Sequence, residues 1–108
     1  MSPYITLTDW AIVEITNGDG KFYHVCGFSK RTKTFRISSI LRTFDFFDSG
    51  FAIVDTIKGS NYVLSNKRTT FENPLFMKYL NEYTSLRNTT SVRDCSDEFL
   101  SLVGVFPT

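Results

Sequence analysis

The chain is poor in the residues that usually announce chemistry. It holds one histidine, two cysteines and one tryptophan in 108 residues, and its net charge is only +1. Each shortage narrows the field. With a single histidine and no paired CxxC or HxxxH spacing, a structural metal site is not expected. No phosphate loop is visible either, because Gly18-Asp19-Gly20 leads into a strand and not a helix. No cofactor is therefore expected. Two cysteines, Cys26 and Cys95, are too few for the bridge framework of a small secreted domain, and free thiols in a reducing compartment are the expectation. A balance of 12 basic against 11 acidic residues argues against a strongly basic nucleic-acid glove. No apolar run is long enough to span a bilayer. The N-terminus lacks the basic-then-apolar pattern of a secretory leader. A cytoplasmic protein without a membrane partner is expected.

Rings are what the chain has in plenty. Eleven phenylalanines and five tyrosines bring aromatics to 16%, and 42% of residues are hydrophobic. That is enough to bury one core, so residues 1–108 are expected to form a single domain.

Hydrophobic periodicity places the elements. Residues 10–16, Trp-Ala-Ile-Val-Glu-Ile-Thr, read as a strand. Asn17-Gly18-Asp19-Gly20 is a hairpin turn built from residues that tolerate positive φ. Residues 21–28 form the return strand, with Phe22, His24, Cys26 and Phe28 on one face. Ser29 to Thr34 is a charged loop, residues 35–41 a third strand, Asp45 to Gly50 a turn, residues 51–57 a fourth strand and residues 61–64 a fifth, after a turn at Lys58-Gly59-Ser60. The period then changes. Asn73-Pro74 caps and opens a helix, and Leu75, Phe76, Tyr79, Leu80, Tyr83 and Leu86 follow at helical spacing to about residue 87. Residues 88–93 read as a polar link and 96–103 as a short second helix stopped by Gly104. The expected fold is α+β: a five-stranded antiparallel meander or small open β-barrel over 10–65, followed by one or two C-terminal helices over 73–104. An edge at 60–65 could pair two chains, so monomer and dimer both stay open.

Catalysis has little to build on. His24 and Cys26 share a strand face, yet a thiol among apolar rings has a raised pKa and is inert. No enzyme is expected and no catalytic residue is assigned. Binding is the remaining class. Lys30, Arg31, Lys33 and Arg36 lie close in sequence near Tyr23, Phe28 and Phe35, a pattern compatible with single-stranded nucleic acid stacking beside a basic groove. Phe44, Phe46, Phe47 and Phe51 crowd one turn beside Asp45 and Asp48. Exposed aromatics there would make a protein-contact patch, unless the helix packs over them.

Trp10, Gly27, Arg36-Ile37-Ser38-Ser39, Asp45 and the run from Thr56 through Gly59-Ser60 and Tyr62 to Leu64 resemble a group of short proteins encoded by phages, prophages and mobile elements, over residues 10–65. The resemblance implies a small β-rich accessory protein without catalytic residues, of the kind whose best-known members are anti-CRISPR proteins. It implies inhibition of a host defence complex, protein or ribonucleoprotein, by covering a surface in the bacterial cytoplasm. Lys30, Arg31, Lys33 and Arg36 would meet an acidic target. Asp45, Asp48, Glu72 and Glu82 would meet a basic one. The alternative is a small barrel that binds single-stranded nucleic acid through its basic and aromatic loop.

Overall fold

A computed structural model describes residues 4–87 and 89–106. Eight strands and one α-helix follow in the order β1 (Ile5–Asn17), β2 (Gly20–Ser29), β3 (Thr34–Ile37), β4 (Leu41–Phe46), β5 (Ala52–Thr56), β6 (Asn61–Leu64), α1 (Pro74–Ser85), β7 (Thr89–Asp94) and β8 (Val103–Val105), with a 3-10 turn at Ser96–Glu98. The sheet order is β3-β2-β1-β6-β5-β4-β8, and β7 also pairs with β1. The sheet is mixed, because β1 runs parallel to β6 while the other pairs are antiparallel.

The expected five-stranded meander with C-terminal helices is therefore wrong, for three local reasons. First, residues 35–41 are not one strand. Thr34–Ile37 pairs with β2, and Leu41 opens a strand that pairs with β5. Between them Ser38 pins the crossover: its N–H donates to the Val25 carbonyl at 2.9 Å, its hydroxyl accepts from Val25 N at 3.0 Å, and its carbonyl accepts from His24 Nδ1 at 2.8 Å. Second, most of 88–105 is not helix or link. Thr89–Asp94 joins β1, and Val103–Val105 joins β4. Asn88 lies outside the described residues. Third, 60–65 is no edge, because β6 sits between β1 and β5 and so has no free side for a second chain's strand.

The long first strand organises everything. Its start, Ile5 to Leu7, pairs with β6, and its end, Val13 to Asn17, pairs with both β2 and β7. Between these parts the register with β2 slips at Thr8/Ala11, and Asp9 adopts φ 48°. Such a bulge bends a strand and lets it serve two surfaces. At the same place Gly27 passes Trp10 so closely that a Cβ on it would lie 2.8 Å from the Trp10 Cβ.

Both faces of β1 are buried, so Trp10 to Ile15 is apolar apart from Glu14. One face joins Trp10 and Ile12 to Tyr23, Phe44, Phe46, Val54, Phe99 and Phe106 in the main core. The other joins Ala11, Val13 and Ile15 to Cys26, Phe76 and Leu80 under α1. The helix begins where the sequence predicts: the Asn73 side chain accepts from Leu75 N and Phe76 N, with Pro74 at the first position. Its apolar stripe covers β1 to β3 and leaves the phenylalanines of the β4–β5 turn uncovered.

Candidate functional site

His24 and Cys26 do lie side by side on β2, but neither is poised for catalysis. Burial pushes the Cys26 thiol up to about 12, so it stays protonated near neutral pH. Burial also pushes Cys95 up to about 12. Both are unbridged. His24 donates Nδ1–H to the Ser38 carbonyl, which leaves Nε2 as an acceptor. Burial holds the imidazole below its ordinary value. Among the described residues no three His, Cys, Asp or Glu groups gather into a metal-binding cluster.

The one buried carboxylate belongs to the framework. Glu14 accepts from Tyr23 Oη at 3.0 Å and from Arg93 at 2.9 Å, and Arg93 also pairs with Glu98. The Arg93 guanidinium holds the Glu14 carboxyl below its usual range against the opposing effect of burial. Burial, with Glu14 beside it, raises Tyr23 to about 12. This cluster ties β1, β2 and β7 to the 3-10 turn. Its sequence signal was a lone acid in an apolar run, Trp10 to Ile15, but nothing local pointed to a partner 79 residues away.

The basic loop is divided by the fold. Lys30, Arg31 and Lys33 are exposed in the β2–β3 turn, and Arg36 is half-buried on β3. Arg31 and Arg36 line a concavity of about 540 Å³ with Tyr4, Thr6, Thr32 and Ser60, whereas Lys30 and Lys33 stay outside it. The rings expected to stack bases are engaged elsewhere. Phe28 and Phe35 meet edge to face at 5.4 Å, Phe35 packs on Phe76 and Tyr79, and Tyr23 lies in the main core. Tyr4, 58% exposed, is the ring that remains.

The phenylalanine cluster splits in two. Phe44 and Phe46 are core residues packed on each other, Phe44 also on Phe99 and Phe106, and Phe46 also on Phe99 and Trp10. Phe46 is therefore corrected as a contact residue: it ends β4 facing inward and is not in a turn. Phe47 and Phe51 are 44% and 46% exposed. Alternation places Asp45 on the outer face of β4, opposite Ile53 of β5 and Val103 of β8. Thr43, Ile53, Asp55, Val103 and Val105 line a shallow groove of about 440 Å³ there. Phe47 and Asp48 line a separate, smaller recess of about 210 Å³ with Leu100. Asp55 is held by Arg42 and Thr43, so Asp45 and Asp48 are the carboxylates left to a partner. Glu72 and Glu82 stand apart, before and on α1.

The strand at this end of the sheet is short and open. The Leu102 carbonyl accepts from Phe46 N, and Phe106 N donates to the Arg42 carbonyl, on either side of the Phe44–Gly104 pair. Antiparallel alternation then turns the N–H and C=O groups of Val103 and Val105 away from β4. No family model, no curated protein and no solved structure matches the chain. Among the described residues no helix is long and apolar enough to cross a membrane.

Proposed function

We propose that this protein is a non-catalytic binding protein that acts by covering a surface of a macromolecular partner, with the outer face of β4, β5 and β8 as its contact face. One observation carries the reading. Of eleven large apolar residues exposed among the described ones, seven (Phe47, Phe51, Ile53, Leu100, Leu102, Val103 and Val105) lie on these strands or the segments beside them. Single exposed apolar residues are ordinary, but a grouped set next to a strand with one open edge marks an interaction surface. Asp45 and Asp48 at its margin suit a partner whose apolar patch has a basic surround. A phage or mobile-element inhibitor that occludes a basic channel of a host defence complex is the specific case the motif resemblance suggests. A second reading rests on Arg31 and Arg36 converging beside Tyr4 with no carboxylate in the lining, which suits single-stranded nucleic acid.

The test is capture from host lysate, with and without nuclease treatment, by three tagged proteins: wild type, Ile53→Asp with Val103→Asp, and Arg31→Ala with Arg36→Ala. The expected result is a complex held by the wild type and the arginine variant and lost by the aspartate variant, with the Val103 and Val105 amides protected from exchange in the complex. Retention by the aspartate variant overturns the reading. Recovery of nucleic acid alone, lost in the arginine variant and weakening steeply with salt, transfers the function to the basic concavity.

A further inference from the structure

A second concavity, of about 380 Å³, opens between α1 and the strand ends, and it shares no residue with the β8 face. Ligand sites of this size combine apolar walls with a few placed polar groups. Here Ile15, Phe22, Ile57 and the Tyr83 ring supply the walls, and His24 also lines the cavity. Arg87 stands at it in a fixed pose. Its guanidinium carbon lies 3.6 Å from the Tyr83 ring centroid, and Nη1 donates to the Tyr83 carbonyl at 2.9 Å. That leaves the rest of a planar donor fork free of any ion pair among the described residues. Lys58 lines the same cavity, and Asp19 is the one acid there, so the lining carries a net single positive charge.

A further observation points to a ligand. Thr89 Oγ1 is buried and has no hydrogen-bond partner among the described residues, and Thr89 lines this cavity. A buried hydroxyl left unpaired is costly, and its persistence calls for an explanation. We propose that the cavity binds a small organic carboxylate, its charged group on Arg87 and Lys58 with the Thr89 hydroxyl as a further donor, and its apolar body against Ile15, Phe22, Ile57 and Tyr83. A carboxylate matches the single net charge, and the planar fork of arginine suits it bidentately. The cavity's volume of about 380 Å³ falls at the small end of the usual range of ligand pockets, which suits a small molecule.

The chain's single histidine makes the test direct, since His24 reports from the wall. His24 ring signals are followed by NMR while 2-naphthoate or its neutral analogue 2-naphthalenemethanol is added. The expected result is a saturable shift with naphthoate and at least tenfold weaker binding of the alcohol. Arg87→Gln should remove that preference. Thr89→Val should weaken naphthoate several-fold without lowering the melting temperature, because it deletes an unpaired hydroxyl in the free protein. Absence of a shift, equal binding of acid and alcohol, or undiminished naphthoate binding by Arg87→Gln overturns the proposal. A Thr89→Val protein that melts lower and binds naphthoate as before shows a structural hydroxyl and overturns the role given to Thr89.

Discussion

At the residue scale, the titratable groups are used to hold the fold, and that makes stability depend on pH in a calculable direction. The Glu14 carboxyl is held below its ordinary value of 4.5, so the stability it contributes is present above that pH and is lost as pH falls through its folded value. His24 is held below 6.5. The unfolded chain then binds this proton more readily, and stability declines once pH drops below 6.5. Tyr23 works in the opposite sense: raised to about 12 from 10, it supports the fold up to pH 10 and loses that support between the two values. Urea midpoints should therefore be highest near neutrality and fall on the acid side in two stages. His24→Gln should abolish the stage just below pH 6.5 and leave the stage below 4.5. If the midpoint is unchanged from pH 7 to 5.5 in both proteins, the imidazole is not buried as described. In the sequence His24 stands out as the single histidine and Glu14 as a charge inside an apolar run, but neither reveals its partner.

At the element scale, local signals served well where structure closes locally. The Asn17 to Gly20 hairpin forms where it was expected, although of its four residues only Gly20 takes a positive φ, 133°, Gly59 takes the positive φ its turn requires at 89°, and Asn73-Pro74 starts the helix. Asn73→Ala should cost about 1 kcal/mol, the usual worth of an N-cap. Phe76→Ala, which removes the ring that packs on Phe35 of β3 in the core under α1, should cost about 3–5 kcal/mol. Both are checked by denaturant unfolding, and equal small costs would mean the helix is not packed on the sheet. Elements that close over distance were misread. Residues 35–41 carry one unbroken strand pattern, and only the partners of each half reveal the crossover at Ser38. Residues 96–103 run into a glycine that can stop a helix, yet Val103-Gly104-Val105 extends because β4 offers it an open ladder.

At the scale of the whole molecule, β1 belongs to both cores, so neither can melt while the other stands. Trp10, fully buried, lies in the main core, and the far-ultraviolet circular dichroism follows the sheet as a whole. The two signals should give coincident denaturation curves. An earlier fluorescence transition would show that the halves of the sheet unfold separately. The same topology places the functional surface. The apolar outer face exists because β8 returns from the C-terminal region to the side of β4, bringing Val103 opposite Asp45 and Val105 opposite Thr43 across some sixty residues.

The sequence by itself determined the aromatic-rich interior, the hairpin, the helix with its cap, and the scarcity of histidine and cysteine, because composition and short-range spacing settle those. The parallel pairing of β1 with β6, the Glu14–Arg93 tie, the packing of Phe46 on Trp10 and Phe99 and the joining of Lys58 and Arg87 at one cavity were decided only by tertiary structure. Each is a contact between residues distant in the chain, chosen by which faces could be buried together, and no local propensity encodes that choice.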